Sequence, residues 1–218
     1  LSGHMFKVVL CAILLAQAAP AEVRNTWPKE YAKADAASFA AKFEEPSRAL
    51  FRYRAAMTGL MQVKPGMKVG EVGAGSGALS RFLAEKVGPE GHVYANELED
   101  KMLTYMRDRA AKEGIKNLTV VKGTPTSTGF EPESLDAIAA VYSFSFFDRP
   151  ADMLQSMHAA LKPGGVMLVV DIPSEQVGSA TVGADADAAV ALASQHGFTR
   201  AGENGVVPGH YALIFRKK

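Results

Sequence analysis

The chain has 218 residues, 48% apolar and 22% charged, which fits one globular domain with extra segments at its ends. Its 24 basic and 23 acidic residues leave a formal net charge of +1, so nothing electrostatic points to nucleic acid and a small-molecule substrate is expected. The single cysteine, Cys11, excludes an intrachain disulfide framework and a thiolate metal cluster, so packing must hold the fold and no metal site is expected.

In chain order, Leu1 to His4 reads as an expression remnant ahead of a natural start at Met5. "MFKVVLCAILLAQAAPAE" follows, with one lysine, an apolar run from Val8 to Ala16 and small residues offering cleavage after Ala18 or Ala21. Residues 5–21 therefore read as a secretory signal peptide, which implies a periplasmic or secreted protein if it is used and a cytoplasmic one otherwise. The run is shorter than the ~20 residues of a membrane-crossing helix, so no stable membrane span is expected. If retained, this apolar segment has to bury itself on its own domain or on another copy, which is a route to an oligomer.

Residues 22–61 read as a helical extension, with Trp27, Tyr31, Phe39 and Phe43 as loose anchors and a helix from Ser47 to Met61. "VKPG", Val63 to Gly66, turns the chain into the domain proper, residues 62–218. "MKVGEVG" predicts a first strand and "ALSRFLAEKVG" a helix. "GHVYANE" predicts a second strand, "EDKMLTYMRDRAAKEG" a helix, "NLTVVKG" a third strand and "SLDAIAAVYS" a fourth. "PADMLQSMHAALKPGG" predicts a helix, "VMLVVDI" a fifth strand, "DADAAVALASQHG" a helix, and "FTRAGENG" with "HYALIFRK" a closing hairpin. Strands separated by helices pair in parallel through right-handed crossovers, so the expectation is an α/β, doubly wound, Rossmann-like sheet of seven strands with the last one antiparallel.

Ligands of such sheets sit beyond the carboxyl ends of the strands at the switch point beside the first strand. There "VGEVGAGSGALS" places Gly73, Gly75 and Gly77 so that the main chain can turn sharply and approach a ligand without a Cβ in the way. The helix beginning near Gly77 offers unpaired N–H groups to a carboxylate or phosphate. Dinucleotides and S-adenosylmethionine would both benefit, whereas a P-loop is excluded because no Gly-Lys-Ser/Thr follows. Glu97, ending the second strand, can accept hydrogen bonds from both ribose hydroxyls of an adenosine, and its charge disfavours a 2′-phosphate.

The surrounding residues resemble the class I S-adenosylmethionine-dependent methyltransferases across nearly all of Val63 to Arg216. "VKPGMKVGEVGAGSGALS" resembles the family's first motif, with Glu71 two positions before the first glycine, and "GHVYANELEDKML" its second, with Glu97 in the ribose place. "LKPGG" and the closing "HYALIFRK" are typical as well. Within the family the chain is most similar to bacterial predicted small-molecule methyltransferases that often carry signal peptides. The resemblance implies that Glu71 orients the methionine ammonium, that Gly73, Ala74, Gly75 and Gly77 contact the methionine part, and that Glu97 binds the ribose. It further implies that Leu98 packs on the adenine and that Gly123 and Thr124 line the adenine edge. Thr124 stands where the family often has an acidic residue.

"YSFSFFDRP", Tyr142 to Pro150, should lie beside the transferable methyl, where aromatic faces of Tyr142, Phe144, Phe146 and Phe147 could attract a sulfonium by roughly 0.5–2 kcal/mol. The alternative for each Phe is that it continues the strand and packs the core. Related sequences often carry histidines here and this one has serine and phenylalanine, so no general base is assigned. Asp148, Asp171 or His210 could take a proton from a hydroxyl or thiol acceptor, with a turn-forming role for Asp171 equally open. His92, His158 and His196 read as structural or exposed. "PSEQVGSATVGAD", Pro173 to Asp185, and residues 22–60 are the candidate covers of the site, both short enough to favour a small acceptor. Two other readings stay open: an exported, non-catalytic protein that keeps the fold and binds an adenosyl ligand or partner, and an NAD-dependent oxidoreductase, for which no hydride-site constellation is visible.

Overall fold

The computed structural model describes residues 35–177, 180–182 and 184–218. The signal-peptide reading and the anchors Trp27 and Tyr31 lie outside the described residues. Helix α1 (Ala36–Phe43) starts where the Asp35 carboxylate accepts the Ser38 N–H at 3.0 Å. Helix α2 (Ala49–Leu60) follows and packs on the domain through Met57 and Met61.

The alternating pattern then runs β1 (Lys68–Val72), α3 (Ala78–Val87), β2 (His92–Glu97), α4 (Asp100–Lys112), β3 (Leu118–Lys122) and β4 (Leu135–Val141). It continues with α5 (Pro150–Ala160), β5 (Leu161–Asp171), the short strands β6 (Glu175–Val177) and β7 (Ala180–Val182), α6 (Ala186–Gln195), β8 (Phe198–Asn204) and β9 (Tyr211–Lys217). The main sheet has the order β3-β2-β1-β4-β5-β9-β8, with β9 antiparallel to both neighbours. The order reverses between β1 and β4, which opens the expected crevice there.

Period-two alternation sorts the central strands onto two apolar faces. Val166, Leu168 and Val170 of β5 join Met57, Leu79 and Leu83 on one side, while Met167 and Val169 join Leu154, Phe198 and Phe215 on the other. Burying both faces explains why these strands read as continuous apolar runs. Each large side chain so buried contributes about 1.5–3 kcal/mol.

Three local expectations are corrected. Leu161 to Gly165 belongs to β5 rather than to the end of α5, with Leu161 paired to Leu135. The physical reason is Pro163, which disfavours helical backbone at Lys162. The fourth strand ends at Val141, because Tyr142 adopts φ 53° and the chain winds into a 3₁₀ turn over Phe144–Phe146. The aromatics after β4 therefore do not continue it. Third, the connection from Pro173 to Asp185 is not an open loop, since β6 and β7 pair within it as a two-stranded antiparallel hairpin.

Candidate functional site

The crevice is built on the β1–α3 loop. The Gly73 and Ala74 N–H groups donate to the Asn96 carbonyl at 3.0 and 2.8 Å, tying the loop to the end of β2. Gly73 has φ 74°, and a Cβ on it would lie 2.5 Å from the Cβ of Ser143. Ser143 in turn donates its hydroxyl to the Val72 carbonyl at 2.7 Å, so the β4 end is clamped against the loop. Only glycine satisfies both the left-handed backbone and the close approach.

Two cavities flank this loop. The first, of about 210 Å³, is lined by Glu97, Leu98, Thr124, Pro125, Phe147, Asp148 and Met153. The second, of about 220 Å³, is lined by Glu71, Ala74, Gly75, Ser76, Tyr142 and the N-terminal residues Phe39, Phe43, Arg48 and Leu50. They meet at Gly73, Glu97, Ser143 and Phe146. The structure thus brings together Glu71, Gly73, Ala74, Gly75, Glu97, Leu98, Thr124 and Tyr142, with Asp148 in the wall of the first cavity.

Gly77 and Gly123 line neither cavity. Gly77 lets α3 pack on α4, since its Cβ would meet the Met106 sulfur at 3.0 Å, and Gly123 makes room for Asn96, whose Nδ2 would lie 2.2 Å from a Cβ. Both let neighbouring side chains pack close behind the loop and strand ends. Asp171 also lines neither cavity: its carboxylate accepts the Ser145 N–H at 3.0 Å and the Ile172 N–H at 2.9 Å, holding the turn after β4. Burial raises its pKa. His210 stands outside as well, with Nδ1 2.8 Å from the Pro208 carbonyl and its ring 5.0 Å from that of Tyr142. Phe144 packs in the core, edge-on to Phe147 at 5.5 Å, whereas Phe146 borders both cavities.

The carboxyl groups are tuned by burial. Glu71 is 2% exposed, and desolvation pushes its pKa up to about 8 against the opposing bond donated by the Ser80 hydroxyl. Glu97 accepts the Gly75 N–H on Oε2 at 2.9 Å and the Leu98 and Glu99 N–H groups on Oε1 at 2.6 and 3.1 Å. Burial raises its pKa in spite of these bonds. Tyr142 is raised as well, first by burial and then by the Asp171 charge, while Arg48 acts in the opposite sense.

The wall contributed by α1 was not legible residue by residue. Phe43 reaches the glycine loop, 3.1 Å from where a Gly75 Cβ would be. Beside it Glu44 binds Arg81 at 2.7 Å and Arg109 at 2.9 Å, and Glu113 joins the same two arginines at 2.8 Å each. A shared four-member network, with Glu44 only 13% exposed, holds α1 down better than isolated surface pairs do. Glu44→Ala is expected to lower stability by about 1–2 kcal/mol, whereas Glu203→Ala, which breaks the exposed Arg200 pair, should cost about 0–0.5 kcal/mol. Urea denaturation of the two variants checks this; equal losses would mean the network does not latch α1.

Asn96, Ser143, Ser76, Arg48 and Phe43 are site residues that sequence reasoning missed. Asn96, next to Glu97, donates to the Thr128 carbonyl at 2.7 Å and braces the floor of the first cavity. Its position beside a recognised strand-end carboxylate was the available signal; Arg48 and Phe43 offered none, because their approach is purely tertiary.

Residues 69–165 match a family model described as a methyltransferase domain. The chain is 34% identical over 113 residues to a ubiquinone/menaquinone biosynthesis C-methyltransferase of Legionella pneumophila (strain Lens), covering 51% of this chain and 45% of that protein. It thus spans about half the length of the curated relatives it matches. Among solved structures it is similar to an S-adenosylmethionine-dependent methyltransferase from Aquifex aeolicus, at TM-score 0.72 and 22% identity, covering 85% of this chain and 100% of that one. It is also similar to the 4+2 cyclase SpnF, at TM-score 0.66 and 14% identity over 76% of this chain and 80% of that one. At such identities the structural likeness speaks to the fold, which here spans more than one named chemistry.

Proposed function

We propose, from the premise that this chain carries a class I S-adenosylmethionine-dependent methyltransferase domain, that it transfers the cofactor's methyl group in line to a small, largely apolar acceptor. The observation that carries this reading is the meeting of two cavities at the glycine loop, with Glu97 fastened to that loop through the Gly75 N–H at 2.9 Å. When bound, S-adenosylmethionine supplies an electrophilic methyl on a positively charged sulfonium, which is itself the leaving group.

The residues present fit that group. All four residues line the first cavity, where Glu97 would hold the ribose, Leu98 and Pro125 would flank the adenine and Thr124 would offer a hydroxyl at its edge. Glu71 and the Gly73 to Ser76 backbone border the space for the amino-acid end. Phe146, at the junction of the cavities, and Tyr142, in the second, present aromatic faces where a cation would lie. Holding a nucleophile in line behind the methyl can supply up to ~7–11 kcal/mol in favourable cases, so no imidazole base is assigned: the C–S bond breaks as the bond to the acceptor forms, and the acceptor's C–H or O–H proton passes to solvent water.

The acceptor is proposed to be a ring compound of the quinol type. Two things support it: the curated relatives are named for quinone C-methylation, and Phe39, Phe43, Leu50, Leu79 and Val141 give the second cavity apolar walls. Calorimetric titration with S-adenosylmethionine, S-adenosylhomocysteine and NAD, followed by transfer of labelled methyl to hydroquinones, tests the reading. Binding of the two adenosyl sulfur compounds but not NAD is expected. Heat from NAD alone would turn the assignment to an oxidoreductase, and binding without transfer to any hydroquinone would remove the proposed acceptor.

A further inference from the structure

The chain as a whole is close to electrical neutrality, but its N-terminal helices are not. Helix α2 and its N-cap carry Arg48, Arg52 and Arg54 and no acidic residue. Arg54 is half-buried, bonded to the Phe51 carbonyl and 5.1 Å from the Phe82 ring centroid. Arg48 and Arg52, four residues apart and so on one side of the helix, are exposed, as is Lys42 in the last turn of α1. None of these three makes an ion pair with a described residue, whereas Arg81, Arg109, Arg149 and Arg200 each find a carboxylate.

Aromatic rings gather these cations into one patch. The Phe39 and Phe43 ring centroids are 5.7 Å apart. Lys42 Nζ lies 5.3 Å from the Phe39 centroid, Lys101 of α4 reaches the same ring at 5.8 Å, and Arg48 sits 5.6 Å from that of Phe43. Arg52 stands one turn beyond Arg48, 5.7 Å from the Tyr53 centroid. Phe39, Phe43 and Arg48 also line the second cavity, so the patch borders it. Of the carboxylates on α1 and its flanks, Glu44 is neutralised by Arg81 and Arg109, which leaves Asp35 and Glu45 against four cations.

A cation lying on a ring covers apolar surface with its stem and keeps its charge toward solvent. Such a surface suits the headgroup zone of an anionic bilayer, where each Lys or Arg strengthens binding by about fivefold. Nucleic acid fits less well, because cations already occupy the ring faces on which bases would stack.

We propose that Lys42, Arg48, Arg52 and Lys101, with Phe39 and Phe43 beneath them, form a docking surface for an anionic phospholipid bilayer, which sets the second cavity against the membrane so that an apolar acceptor enters it from lipid. The docking surface stands on the patch alone, and the passage of the acceptor rests on the methyl-transfer reading above.

Co-sedimentation of the full chain with vesicles tests this, comparing phosphatidylcholine alone with phosphatidylcholine containing about 30% phosphatidylglycerol. Binding to the anionic vesicles is expected to be at least about tenfold tighter, and to be largely lost between about 0.1 M and 0.5 M salt. Lys42→Glu/Arg52→Glu removes two cations that lie outside the cavity wall and should weaken binding by about 25-fold or more. Lys64 and Lys116 precede β1 and β3 at the opposite edge of the sheet, so Lys64→Glu/Lys116→Glu makes the same change of charge there and should alter binding by less than about twofold. Urea midpoints check that both pairs fold, and Lys42→Gln/Arg52→Gln reads the loss where the reversal unfolds α1. Absence of vesicle binding, equal binding to the two vesicle types, or an equal loss in the two pairs overturns the surface. If a uridine oligonucleotide is bound instead and loses affinity in the first pair, the patch is one for RNA. S-adenosylhomocysteine binding, measured separately, bears on the functional reading: its absence beside vesicle binding removes the acceptor's route and leaves the docking surface standing.

Discussion

Glu97→Ala is expected to weaken binding of S-adenosylhomocysteine by roughly 30- to 1000-fold, equivalent to about 2–4 kcal/mol. The carboxylate stands at the C-terminal end of β2, where the sheet order puts it beside the β1 loop, and it lines both cavities. Its bonds from the Gly75, Leu98 and Glu99 N–H groups fix its orientation before any ligand arrives. A charged acceptor already held in place contributes fully to binding ribose hydroxyls, because little side-chain freedom is left to lose. Folding stability should change little, since removing the carboxylate also removes a buried charge whose pKa is raised. Glu97→Gln keeps one acceptor oxygen and is expected to lose about tenfold. An analogue lacking the ribose hydroxyls should bind parent and Glu97→Ala alike. If it were weakened by Glu97→Ala as strongly as the natural ligand, the carboxylate would be acting on the loop and not on the ribose.

How much of this site could be read from sequence depends on what sets each position. Gly73, Gly75 and Glu97 follow from chain order, because strand ends in a doubly wound sheet converge on one edge, whereas Glu71 and Thr124 followed from the resemblance to the methyltransferase family. The parallel core was legible for the same reason: strands buried on both faces are unbroken apolar runs, as β4 and β5 are. Gly77 and Gly123 line neither cavity, and a glycine that admits Met106 or Asn96 has the same sequence signature as one that admits a ligand. Asp171 read from sequence as a base or a turn former, and the N–H groups of Ser145 and Ile172 that its carboxylate accepts support the turn-forming role. The hairpin of β6 and β7 was hidden by its polar, glycine-containing composition, which reads as loop. Arg48, Phe43 and Glu44 were invisible as site residues because they reach the glycine loop and its flanking helices by tertiary packing of an N-terminal helix, with no local pattern.

Glu71 makes the second large expected effect, and it is one of pH. In the folded chain its pKa is pushed up to about 8 by burial, above the ordinary 4.5, so the native state holds this proton more tightly than the unfolded chain does. The stability that the protonated form provides is therefore fully present below about pH 4.5 and is lost as pH rises toward 8, at up to about 1.4 kcal/mol per pH unit. Glu71→Gln keeps the shape and the Ser80 contact without the titration, so it should match the parent near pH 5 and exceed it by roughly 3–5 kcal/mol at pH 9. Urea denaturation at pH 5, 7 and 9 reads this directly. Binding has the opposite slope: a ligand ammonium favours the ionised carboxylate, so capture of S-adenosylhomocysteine should expel a proton and tighten by up to about tenfold per unit between pH 6 and 8. 5′-Methylthioadenosine has no ammonium and should show no such slope, nor should S-adenosylhomocysteine with Glu71→Gln. Parallel pH profiles for the two ligands in the parent protein would place the ammonium away from Glu71 and leave that carboxyl as a structural partner of Ser80.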